Sequence, residues 1–110
     1  MIVEVVGGAA TAPEVRVSGV DDLTGLHVAV GALTTEEADG ALGSAGLGRL
    51  SDPDTAVLDL VALRAAAEPQ ATVPDWARQW DDMVSAAAGE GRVGDGGTTL
   101  RAHVQAAASG

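Results

Sequence analysis

The chain has 110 residues, a length that gives one domain with a single core. Six Arg against sixteen Asp and Glu leave a formal charge of −10, which argues against nucleic acid, whose binding needs phosphates neutralised, and against anionic membrane surfaces. Cys, Lys, Tyr and Phe are absent. That removes disulfides, thiolate nucleophiles, Cys-based zinc sites, Schiff bases and a phosphate-binding loop lysine, and leaves acid–base work to His27, His103 or a carboxylate.

Asn is also missing and Ile occurs once. All of these rare residues except Cys use AT-rich codons, so the composition reads as a GC-rich, actinobacterial-like genome rather than a functional adaptation. The start "MIVEVVGG" has neither a basic segment nor a long apolar stretch, and no run approaches 18 apolar residues. A cytoplasmic location is the expectation.

In chain order, "MIVEVVG" and "EVRVSGV" are Val-rich strands. The second alternates, with Val15 and Val17 on one face and Glu14, Arg16 and Ser18 on the other. "GGAATAP" between them suits a wide hairpin loop, and "DDLTG" a second turn. "LHVAVGAL" sets Leu26, Val28 and Val30 opposite His27 and Ala29. Thr34 and Glu37 have capping-box spacing at the start of a helix that Gly40 and Gly43 weaken, so it should end before "GSAGLG".

"SDPDTAVLDLVALRAAAEP" reads as a central buried helix. Asp52 caps it, Pro53 occupies its first position and Pro69 ends it, with Thr55, Asp59, Ala62 and Ala66 as the solvent-facing strip. From Trp76, apolar residues recur at 80, 83, 84 and 87, a single helical stripe. This places both indoles in the core, where an aromatic-poor domain needs bulk, with Trp80 at mid-stripe the more buried. "EGRVGDGGTTLRAHVQ" gives a short strand, a turn around Asp95 and Gly96, and a last strand with Leu100, Ala102 and Val104 inward.

Most motifs fail on spacing. "VVGGAATAP" does not match the dinucleotide-binding pattern, and Ser44 in "GSAGLG" lacks the hydrolase elbow spacing. The pairs Asp21/Asp22, Asp52/Asp54 and Asp81/Asp82 sit at turns or caps without a calcium-loop pattern, and the two His lack zinc spacing. No metal and no cofactor is expected.

The expected fold is α+β. A small, mostly antiparallel sheet of three N-terminal strands plus a C-terminal strand or hairpin carries two to three helices on one face, over residues 1–105, with a disordered tail at 106–110. The expected function is a non-catalytic binding or protein-interaction module that associates with itself or with a protein partner. The alternative is a small acid–base enzyme or small-anion-binding domain. If Val15, Val17, Leu26, Val28, Leu100, Ala102 and Val104 face the helices, alternation turns Arg16, His27, Arg101 and His103 to the opposite face. There Arg forks and a His would hold a carboxylate or phosphate.

Overall fold

Valine alternation at the N-terminus and an Ala-rich middle produce, in a computed structural model, one mixed sheet with three helices against one face. The structure describes residues 1–8, 11–31, 33–94 and 96–106. The strands are β1 (Ile2–Gly8), β2 (Thr11–Ser18), β3 (His27–Val30), β4 (Gly48–Asp52), β5 (Thr55–Asp59), β6 (Val93–Gly94) and β7 (Thr99–Ala106). The helices are α1 (Thr35–Ala45), α2 (Leu60–Ala67) and α3 (Trp76–Gly89), with a 3-10 turn at Glu68–Gln70 after α2.

Strand order is β2-β1-β3-β7-β5-β4, with β6 paired to the start of β7. The α+β expectation holds, but the mostly antiparallel sheet does not. β1 pairs parallel with β3, and β3 parallel with β7. The chain recrosses between β1 and β3 through β2 and the 19–26 loop, and the C-terminal strand fills the centre of a seven-stranded sheet. The first hairpin is tighter than expected, because pairing continues to Gly8↔Thr11. Pro13, which cannot donate to a ladder, sits on β2 at the sheet edge, where its missing N–H costs no bond. Asp95 of the last turn and the tail from residue 107 on lie outside the described residues; Ala106 closes β7.

The largest correction falls on residues 48–59. They form a β-hairpin, with Leu50↔Ala56 and Arg49↔Val57 in register. An Asp-Pro pair opens a type I turn as readily as a helix. Here Asp52 Oδ1 accepts the Asp54 N–H at 2.8 Å, closing an Asx turn. The helix begins only at Leu60, capped by Asp59 Oδ1 on the Ala62 N–H at 2.9 Å. It buries Leu60, Leu63 and Ala67 and leaves Val61 74% exposed. The helix predicted from Asp52 is therefore half strand, and Thr55 and Asp59 belong to β5.

α1 opens on the expected capping box, with Thr34 Oγ1 accepting the Glu37 N–H at 3.1 Å and Glu37 Oε1 the Thr34 N–H at 2.9 Å. It runs through Gly40 and Gly43 to a left-handed cap at Gly46, longer than expected. α1 touches both β2 and β4, the two edge strands, so the sheet curls around it.

Inside that curl, Val3, Val5, Val28, Leu58 and Leu100 meet Leu42 and Leu63, all fully buried. α3 supplies the aromatic bulk. Trp76 and Trp80 are 3% and 4% exposed, with ring centroids 5.4 Å apart, so neither indole is the deeper one. Trp76 also ties down the chain, its Nε1–H donating to the Val20 carbonyl at 2.7 Å. No helix among the described residues is long and apolar enough to cross a membrane.

Candidate functional site

With Leu100, Ala102 and Val104 buried, alternation turns Arg101, His103 and Gln105 of β7 to the sheet face away from the helices. Cross-strand register then decides which side chains stand beside them. Arg101 pairs with Val57 of β5, and Val57 with Arg49 of β4. On its other flank, the Arg101 N–H donates to the Arg92 carbonyl at 2.9 Å, extending the Val93↔Leu100 pairing by one residue. A row Arg92–Arg101–Val57–Arg49 therefore crosses four strands, with neighbours about 5 Å apart. His103 stands one row on, opposite Thr55.

Arg92, Arg101, His103, Thr55 and Asp54 line an open hollow of ≈ 300 Å³. Its charges are only partly neutralised internally. Arg92 pairs with Glu90 at 3.0 Å, and Asp54 stands at the rim. Arg101 donates to the Gly91 carbonyl, and neither it nor Arg49 has a carboxylate within ion-pair distance among the described residues. The Arg92 Nε–H is buried without a hydrogen-bond partner among the described residues, an unfinished bond of the kind that calls for an explanation. The remaining arginines are engaged: Arg16 with Glu14, Arg64 with Glu68 and Asp81, and Arg78 with Asp75.

Of the four residues expected to share a site, Arg101 and His103 come together and Arg16 does not. Arg16 lies on the edge strand β2, in a row with Glu4, Ala29 and Gln105, three strands from β7. His27 opens β3, where its Nδ1–H donates to the Gly25 carbonyl at 2.8 Å. Continuing the Val28↔Val104 register by one residue sets His27 beside His103. Arg92 and Arg49 were missed by the sequence reading. Arg92 was findable, since the hairpin expected over residues 90–105 puts it opposite Arg101 once its register is chosen. Arg49 was hidden by reading the residues after it as a helix.

No family model, curated protein or solved structure matches this chain.

A second hollow, ≈ 460 Å³, lies between the 19–26 loop and α3; Asp21, Asp22, Asp82 and Glu90 line it together with Arg92, which it shares with the first hollow. Two of these carboxylates already serve the fold. Thr72 donates through its Oγ1–H (2.6 Å) and N–H (2.9 Å) to Asp21, which holds that carboxyl below its ordinary range. Thr24 does the same for Asp22, from its Oγ1–H at 2.6 Å and its N–H at 3.1 Å. No three His, Asp or Glu side chains gather as a metal site among the described residues. The cationic hollow on β7 is the better candidate.

Proposed function

We propose that the protein is a non-catalytic binding module, cytoplasmic in setting, that takes a small carboxylate or phosphate on the outer face of β7. The observation that carries this reading is the alignment of Arg92, Arg101 and Arg49 in one row, with His103 beside it, on a chain of net charge −10. Like charges side by side on a sheet are destabilising unless something neutralises them. Glu90 offsets Arg92; an anion would offset Arg101 and Arg49, and planar guanidinium forks match carboxylate and phosphate oxygens in pairs.

The short extent of the cationic row favours a small ligand over a polymer: Asp52 and Asp54 at the β4–β5 turn close it off at the His103 end. A nucleic acid needs a longer track of cations than this, because each phosphate along it carries a charge. Binding is favoured over acid–base catalysis because His103 has no hydrogen bond to a hydroxyl or carboxylate among the described residues. A catalytic base is oriented by such a partner.

The test is a titration of phosphate and acetate, with chloride as control, followed through the His103 and His27 imidazole NMR signals. Saturable movement of His103 at constant pH and ionic strength is the expected result. Unmoved signals would leave a solvated sheet face and no site.

A further inference from the structure

The sheet has two edges, and the structure treats them differently. On β4, a strand of five residues with irregular register, the Leu50 N–H is taken by Asp39 Oδ1 of α1 at 2.8 Å. β2 has no such cover. The Met1 and Val5 carbonyls accept the His27 and Gly31 N–H groups at 3.3 and 2.9 Å, so the odd residues of β1 bond β3 and the even ones bond β2. Through the register Glu4↔Arg16 and Val6↔Glu14, the even residues of β2 face β1. The N–H and C=O groups of Val15 and Val17, and the Pro13 carbonyl, are therefore directed outward. No group among the described residues bonds them. Alongside this edge runs a groove of ≈ 560 Å³ whose apolar walls include Val15, Val17, Leu47, Ala62 and Ala66.

We infer that the β2 edge is a self-association surface, on which a second copy of this chain pairs its own β2 antiparallel about a two-fold axis through Val15. The charge pattern selects both the partner and the register. With odd residues outward, two-fold antiparallel pairings near the strand centre turn on residue 14, 15 or 16. Turning on Glu14 sets Glu14 against Glu14, and turning on Arg16 sets Arg16 against Arg16; like charges directly opposite repel. Turning on Val15 sets each Glu14 against the Arg16 of the other copy, twice over. In that register the two Val15 exchange both backbone bonds, and each Val17 N–H donates to a Pro13 carbonyl. Proline there forfeits one bond per copy, because it has no N–H to return. Within one chain, the exposed Arg16–Glu14 pair at 3.2 Å adds little by itself. Its alternation with Val15 is what makes the edge self-complementary, as a two-fold interface requires. Pairing also lays Val15 and Val17 of one copy against the groove of the other. The cationic row on β7 takes no part.

Sedimentation equilibrium on the full chain, up to sub-millimolar concentration, tests the inference. The expected mass is twice 10.9 kDa. Glu14→Arg should weaken association at least tenfold, and adding Arg16→Glu to it should restore the dimer. Val15→Pro removes an outward N–H without touching β1 and should give a monomer with an unchanged far-UV circular dichroism spectrum. A wild-type monomer throughout that range overturns the inference. So does a dimer indifferent to Glu14→Arg, or a folded double exchange that stays monomeric.

Discussion

Replacing each tryptophan by phenylalanine separates the two roles that Trp76 and Trp80 share and do not share. Both rings are almost fully buried and stack on one another, so each substitution loses comparable ring area and keeps an aromatic pair. Only Trp76 donates a buried hydrogen bond, to the Val20 carbonyl at 2.7 Å. The Trp80 Nε1 has no protein partner among the described residues and is not buried unsatisfied, so solvent meets it. Trp76→Phe therefore strands a buried acceptor, which costs about 1–3 kcal/mol beyond what Trp80→Phe costs. With total stability of about 5–15 kcal/mol for a domain, that difference is readily measured. Urea unfolding followed by far-UV circular dichroism should put the Trp76→Phe midpoint about 1 M below that of Trp80→Phe, at slopes of about 1–2 kcal/mol per molar. Equal midpoints, or a lower one for Trp80→Phe, would refute the view that Trp76 anchors the 19–26 loop.

Gly48 has φ 149°, and a Cβ there would run into the Val57 carbonyl, so Gly48→Ala should cost about 3 kcal/mol or more in a thermal or urea melt. On α2, Val61→Asn should change stability by about 0.5 kcal/mol or less, whereas Leu63→Ala should cost about 2–5 kcal/mol; comparable losses would return Val61 to the buried side of the helix. The Asp21 carboxyl is held below its ordinary value of 3.8 by the Thr72 hydrogen bonds. Its contribution to stability is present above that value and disappears as pH falls through the lower, folded-state one. Unfolding midpoints from pH 7 to pH 2 should thus fall less steeply in Asp21→Asn than in the wild type, and parallel curves would contradict the sign.

What was legible in the sequence was local. The Thr34/Glu37 box, the Trp76–Ala87 stripe and the inward set Leu100, Ala102 and Val104 each declare themselves within a few residues, through capping geometry or strict period. Residues 48–59 were illegible for an equally local reason. Asp52-Pro53 satisfies a helix start and a turn alike, and the alternation of Thr55, Ala56, Val57 and Leu58 is too short to outweigh the Ala-rich helix that follows. Strand order was illegible for a non-local reason, since nothing near Val28 or Val104 announces that they pair in parallel across most of the chain length. The site suffered from both. Face alternation found Arg101 and His103, but Arg49 needed the missed hairpin, and separating Arg16 from them needed the order of the strands.

On the proposed reading, Arg101, flanked by Arg92, holds a small anion on the outer face of β7. Phosphate affinity, measured by NMR titration at one fixed pH and ionic strength, tests it on the wild type, Arg101→Gln and Arg16→Gln. A charge-assisted hydrogen bond of about 1.5–3 kcal/mol predicts at least tenfold weaker binding for Arg101→Gln. Arg16→Gln, which alters an arginine three strands away on the sheet edge, should bind phosphate as the wild type does. Equal affinities in all three proteins, or no saturable binding in the wild type, would rule out an anion site at Arg101.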